Sequence, residues 1–266
     1  MLNDLALSGI SPVKSKSGMG RNKAGRLVFR ARMGERPVKV YEAANAQHAA
    51  FIRAVSRKPS LEAAFPHIID LYGPYVIADW VIENGDKRIH AQDIASLLFS
   101  IHQAHVGDLP EPNFDYWHDF IRPRFAEAAT ALGQSELAHE ISCRVSKAWQ
   151  RGPRVLMHPD VTLANLICTS DGEICVIDNE LLTVGALPLL DLCNAASCLN
   201  KEQAQMLFNS YLCVSATRIS SVDIAVLEAA WLARRVGTAY VAKNLRLAKK
   251  LIEQYKAKES VLPVSF

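Results

Sequence analysis

From Arg26 to Tyr41 apolar and basic residues alternate with period two, first in RLVFRARM and again in RPVKVYE, with Gly34-Glu35 between the runs. Such alternation puts one class of side chain on each face of a strand, and a glycine-containing break is a turn, so the segment predicts a β-hairpin. A further strand is expected ahead of the Gly- and Lys-rich loop SPVKSKSGMGRNKAG. At Asn45 the period changes: Ala46, Ala49, Ala50, Ile52 and Val55 recur near helical spacing, and Pro59 stops the run. The stretch HIIDLYGPYVIADWVIENGD then predicts two more strands, punctuated by Gly73-Pro74 and Asn84-Gly85. Ala91 to Ala104 predicts a helix, and helical periodicity returns over 120–132, 136–149, 201–211, 222–244 and 245–256. Val155-Leu156 and the paired runs NLIC and ICVID interrupt it. The expected class is α+β, with an antiparallel sheet of about five strands and one helix in residues 1–84 and a mainly helical part over 85–266.

Composition narrows this picture little. Half of the 266 residues are hydrophobic and 21% are charged, which excludes a disordered chain or a peptide-sized scaffold. Lys+Arg exceeds Asp+Glu by only 30 to 27, too little to point to a nucleic-acid or anionic-membrane partner for the whole chain. That total is an average, because nine basic residues between Lys14 and Lys39 stand against Glu35 alone. The six cysteines include no C-x2-C pair, which excludes a zinc ribbon, and buried reduced thiols are expected. The first ten residues lack a basic segment and include Asp4, so no secretory signal is expected and the cytoplasm is the default location. Leu181 to Leu199 approaches spanning length, but Pro188, Asp191 and Asn194 make a buried segment the expectation. Trp117, Trp149, Trp231 and Tyr240 keep helical spacing with apolar neighbours, which predicts core packing rather than an aromatic cage.

The chemistry concentrates between Val155 and Asn194. His158-x-Asp160 is followed by Asn165 and, thirteen residues later, by Asp178. Pro159 keeps the first part out of regular structure, so it is a loop. Ser170-Asp171-Gly172 is a hairpin turn, and the hairpin carries Asn165 at the start of one strand and Asp178 at the end of the other, at the same edge. Asp160, Asn165 and Asp178 thus form a set of hard oxygen groups. One or two carboxylates with an amide oxygen suit Mg²⁺, with water and phosphate completing its shell. Asp160 is then left to accept a proton from a hydroxyl, and phosphoryl transfer requires little else of a protein besides positioning and charge neutralisation.

This H-x-D-x4-N loop with its later Asp resembles the catalytic loop and metal-binding Asp of the protein-kinase-like fold. The forms HPDVTLAN and VIDNE, with Asp191-Leu-Cys further on, resemble the aminoglycoside phosphotransferase and choline kinase branch of that superfamily. The resemblance implies a bilobal fold and ATP and Mg²⁺ as cofactors. It implies Asp160 as catalytic base, Asn165 and Asp178 as metal ligands, and Lys39 in PVKVYE as the lysine on the α/β-phosphates. Ser17 and Gly18 then fall in the phosphate-covering loop, and Trp80 and Val81 in the adenine hinge within Pro74–Glu83. IASLLFSIHQAH resembles the branch's L-x-x-L-H helix. His158 and Asp191 read as structural, Asp191 accepting backbone N–H groups of the catalytic loop. Glu180 is either a metal or substrate contact or a solvated carboxylate. The implied acceptor is a small molecule with a hydroxyl, such as an amino-sugar, sugar or amino alcohol, because no A-P-E element follows Asp178.

Three departures stand out. The helix after Lys39 offers Gln47 or His48 where a lysine-pairing Glu is expected, Asn179 replaces an aromatic, and the glycine loop does not spell G-x-G-x-x-G. The first departure supports an alternative, a nucleotide-binding pseudokinase or scaffold. The basic N-terminal region supports another, a kinase of a larger anionic acceptor such as a glycolipid.

Overall fold

The computed structural model describes residues 7–15, 18–19, 25–83, 88–216 and 220–264. They fall into two units, one made of Met1–Ile89, Ala104–Phe114 and Ala164–Leu182, the other of His90–Gln103, Asp115–Leu163 and Thr183–Phe266. Along the chain the first elements are β1 (Leu7–Pro12), β2 (Lys14–Ser15), β3 (Gly18–Met19), β4 (Val28–Met33), β5 (Arg36–Glu42), α1 (Ala46–Ser56), β6 (Ile68–Tyr72) and β7 (Tyr75–Asp79). Next come α2 (Ala91–Gln103), α3 (Arg122–Ala131), α4 (Ser135–Arg151), β8 (Val155–Met157), β9 (Leu166–Cys168), β10 (Ile174–Val176) and β11 (Thr183–Gly185). Helices α5 (Leu189–Ala196), α6 (Lys201–Ser215), α7 (Ser221–Val241) and α8 (Leu245–Lys256) complete it.

In the first unit the alternating runs become an antiparallel sheet in the order β1-β4-β5-β7-β6. Strand β5 lies at its centre. Val38 and Val40 share one face with Ala31, Tyr75 and Ile77 in a hydrophobic cluster. The period of two therefore sends Lys39 and Tyr41 to the opposite face, where both are also buried. A lysine so placed must find partners, because an isolated charge away from water is costly. Helix α1 starts where the Asn45 side chain accepts the His48 N–H at 2.8 Å, and it buries Phe51, Ile52 and Val55. Strands β9 and β10 form the expected hairpin, turned at Gly172, whose φ of +84° is one that a residue with a Cβ rarely adopts. The Val176 N–H donates to Ala64 O at 2.8 Å, which fixes the hairpin to the segment after α1. Asn84-Gly85, read as a turn, lies outside the described residues.

The second unit is mainly helical. Helical periodicity alone places a helix start near Phe120, but the chain first makes a wide π-helical turn over Tyr116–Ile121 before α3. Pro123 explains it: proline has no N–H and collides with the carbonyl four residues back, so Arg122 N–H reaches Trp117 O, five residues back. Helix α5 escapes detection by periodicity because Leu190 to Ala196 are buried on every side. It accounts for the apolar 181–199 run as a buried segment. No helix among the described residues is long and apolar enough to cross a membrane. Strand β8 pairs with β11, Met157 opposite Thr183, and Gly185 lies so close to Trp149 that an added Cβ would stand 2.5 Å from the indole. Trp117, Trp149 and Trp231 are fully buried, as expected, whereas Tyr240 is only half-buried. The thiol expectation is half right: all six cysteines are free, Cys168, Cys175 and Cys193 buried and Cys143, Cys198 and Cys213 exposed. Burial pushes the Cys175 thiol up to about 12 despite nearby Lys39.

Candidate active site

Lys39 finds its partners in the β9–β10 hairpin region of the first unit. Its ammonium donates to Ile177 O at 2.7 Å and forms an ion pair with Asp178 Oδ1. The Asp178 side chain remains 33% exposed, against 10% for Lys39. Asn165 is buried, and its carbonyl accepts the Ile177 N–H at 3.0 Å, so Asn165 and Asp178 meet at one end of the hairpin as the turn position requires. An amide oxygen and a carboxylate beside an ammonium are a donor set that fits Mg²⁺ bound through one or two protein groups and phosphate oxygens.

Burial and hydrogen bonds define the residues around this set. Glu180 is buried, so it is not a solvated carboxylate. Its carbonyl accepts from Arg26 at 3.0 Å. Together with Asp178, Glu180 lies near Tyr41, whose hydroxyl is pushed well above its usual value by burial first and then by those two carboxylates. Helix α1 turns His48 toward other groups: Nδ1 accepts the Ala44 N–H at 3.1 Å and Nε2 lies 2.7 Å from Leu182 O. Because Nδ1 accepts, the proton belongs on Nε2 and the ring is neutral. Its pKa is lowered to about 4, chiefly by burial. Glu42 is used within the sheet, where it accepts the Leu27 N–H at 3.0 Å.

Of the remaining expected cofactor contacts, Ser17 lies outside the described residues, and Gly18 begins β3, opposite Ser15 of β2. The first half of the expected hinge is strand β7, where the pattern predicts a strand. Trp80 follows it, its N–H donating to Pro37 O at 3.3 Å and its ring lying under Arg30 at 4.7 Å, and Val81 comes next, half-buried.

Asp160 belongs to the second unit and sits on the loop after β8, buried with its side chain 1% exposed. The loop is held from below by Asp191 of α5, which is fully buried and whose Oδ2 accepts the His158 N–H at 2.6 Å. The same oxygen meets His102 Nε2 at 3.1 Å, and His102 Nδ1 meets the Tyr211 hydroxyl at 2.7 Å. Asn194, one turn along α5, donates to Val161 O at 3.4 Å. Asp191 thus plays the anchoring part read from its sequence context. Arg234 of α7, which no motif singled out, places Nη2 3.9 Å from Asp160 Oδ1. The available signal was a pair of arginines, Arg234-Arg235, inside an otherwise apolar helical run.

A loop aspartate anchored by a second buried aspartate, and a strand lysine paired with an aspartate next to a hairpin, are the parts of a kinase-like phosphotransferase. The model of the phosphotransferase enzyme family matches residues 74–218, more than half of the chain, and the chain belongs to that family. It is a small-molecule kinase that transfers phosphate to an alcohol group. Solved structures agree on a protein-kinase-like fold. The choline kinase LicA from Streptococcus pneumoniae superposes with a TM-score of 0.63 at 12% identity, covering 96% of this chain and 97% of that one. A thermostable mutant of aminoglycoside phosphotransferase APH(4)-Ia, in a ternary complex with ADP and hygromycin B, gives 0.59 at 16% identity, covering 96% and 95%. An ethanolamine kinase from Plasmodium vivax gives 0.55 at 12% identity, covering 93% and 81%. At such identities the likeness is one of fold. None of the curated proteins matches the chain.

Proposed function

We propose that the chain is an ATP- and Mg²⁺-dependent kinase of an amino-sugar, sugar or amino alcohol, with Asp160 as the base. The observation that carries the reading is the meeting of Lys39 with Asp178, brought together from strand β5 and the segment after β10 within the first unit. Asn165 and Asp178 would hold the metal. Mg²⁺, when bound, neutralises charge on the phosphate oxygens. Lys39 binds the α/β-phosphates, and the backbone at Ser17 and Gly18 covers them. Because the Trp80 N–H is committed to Pro37 O, the adenine contacts fall to the Trp80 carbonyl and the Val81 N–H. Asp160 orients the acceptor hydroxyl and takes its proton as the phosphoryl group arrives. The ternary complex of aminoglycoside phosphotransferase APH(4)-Ia with ADP and hygromycin B, a protein of this fold, supports nucleotide use and a small-molecule acceptor.

One observation favours a second reading. Helix α1 carries no acidic residue, so it gives Lys39 no carboxylate of the kind this fold usually places there. A scaffold that binds nucleotide without turning it over would share that feature. A screen of ATP consumption over aminoglycosides, sugars, choline and ethanolamine separates the two. The enzyme reading predicts that at least one acceptor raises consumption and that Asp160→Asn abolishes the increase. Binding of ATP with no consumption by the wild type under any acceptor or with water would establish the scaffold instead.

A further inference from the structure

Arg234 is a costly residue to place inside a helix packed on the core. Its side chain is 11% exposed, with neighbours Leu232, Ala233 and Val236 fully buried. Burying a guanidinium without partners is strongly unfavourable, and an apolar side chain of similar length would pack there more cheaply. The guanidinium has a specific set of partners. Nε donates to the Tyr116 hydroxyl at 2.8 Å, and Nη2 donates to Pro159 O at 3.5 Å and lies 3.9 Å from Asp160 Oδ1. Its carbon also lies 5.5 Å from the Trp231 ring centroid, one turn back on α7. Tyr116 is itself fixed, stacked on Phe120 within the wide turn that Pro123 imposes.

These contacts converge on the catalytic loop rather than on the helix. Pro159 O belongs to the residue immediately before Asp160, so one planar group grips both the backbone and the carboxylate. The grip is complementary to that of Asp191, which holds the same loop through the His158 N–H. Arginine is suited to this place because its fork is rigid and it does not lose its proton. Burial would push the guanidinium down, but neighbouring Tyr116, Asp160 and Asp191 outweigh it and raise the group above its ordinary value. The positive charge is therefore permanent.

We infer that Arg234 is a positioning residue for phosphoryl transfer, holding Asp160 in the orientation in which it acts on the acceptor. The inference rests on the reading of Asp160 as the base. A group that orients the base without touching nucleotide should act on kcat and leave nucleotide binding alone, since misplacement of a catalytic group by about 1 Å costs on the order of 10²-fold. The other charged or titratable groups near this guanidinium include Tyr116, Asp191, Cys193 and Arg235.

The test uses the full chain with MgATP and water as the phosphoryl acceptor, comparing Arg234→Met, Arg234→Lys, Tyr116→Phe and Asp160→Asn with the wild type. Arg234→Met is expected to lower kcat about 100-fold with KM for ATP within about twofold. Arg234→Lys keeps the charge and should recover at least about tenfold of that loss, and Tyr116→Phe should lower kcat by only about threefold. Thermal melts establish that each variant is folded. If Arg234→Met fails to fold, the lysine and phenylalanine variants carry the test. Turnover that is lost in Asp160→Asn but unchanged in folded Arg234 variants overturns the role of Arg234 alone, as does an effect confined to KM. Unchanged turnover in Asp160→Asn, or no turnover by the wild type with water or with any acceptor of the screen above, overturns the reading of Asp160 and the positioning role with it.

Discussion

The two sets of polar groups are held in opposite ways. In the first unit, Lys39 and Asp178 pair with one carboxylate still a third exposed, and under the proposed function the pair opens to a ligand that offers phosphate to the lysine and a cation to the aspartate. In the second unit, Asp160 and Asp191 are enclosed, and their neighbours are supplied by the protein: the His158 N–H and His102 for Asp191, Arg234 for Asp160. Open, exchangeable charge suits groups that bind and release a ligand in every turnover. Enclosed charge with fixed partners suits a group that must keep one orientation, because the low local dielectric strengthens satisfied contacts and penalises any that are broken.

Substitutions separate these two designs, and the largest effect is expected at Asp160, the proposed base. Asp160→Asn should lower turnover on the order of 10²–10⁴-fold while leaving ATP affinity within about twofold, as measured by steady-state kinetics beside calorimetry. Asp191→Ala should act on the fold instead. It leaves the His158 N–H and His102 without their acceptor, for a loss of about 3 kcal/mol in urea unfolding. A loss below about 1 kcal/mol would mean that the enclosed network is not what holds the loop.

The first unit has an enclosed group, His48, that gives a pH signature. Its folded pKa of about 4 lies below the usual value of 6.5, so between these values the unfolded chain binds more protons than the folded one. The stabilisation is present above pH about 6.5 and is lost as pH falls toward about 4, on the order of 3 kcal/mol in all. His48→Gln should flatten that part of the stability profile. An unchanged slope would show that other groups cause it. The smallest effect belongs to an open pair: Arg36 and Asp79 meet through two bonds of 2.6 Å, but Arg36 is 53% exposed. Arg36→Ala should cost about 0.5 kcal/mol, less in high salt.

Local pattern carried much of the fold. The period of two gave β4 and β5, Asn45 and Pro59 bracketed α1, and Ser170-Asp171-Gly172 gave the β9–β10 hairpin that brings Asn165 beside Ile177. Where pattern failed, a tertiary cause replaced it. Helix α5 has no polar face to set a period, and the wide turn at Tyr116 arises from a proline seven residues later. The partner of Lys39 was not legible because it lies 139 residues away in the chain, and no local spacing encodes such a contact. His48 shows the same limit: its position suggested a stand-in for a glutamate, but its ring is spent on Ala44 and Leu182. Arg234 was concealed by its helix, where a pair of arginines matches no motif.

The measurement that bears most directly on the division of labour is ATP binding by calorimetry with and without Mg²⁺, for the wild type, Asp178→Ala and Asp160→Asn. The account predicts that Mg²⁺ strengthens binding to the wild type, that Asp178→Ala removes this gain and that Asp160→Asn retains it. A Mg²⁺-dependent gain that survives in Asp178→Ala, or disappears in Asp160→Asn, would contradict it.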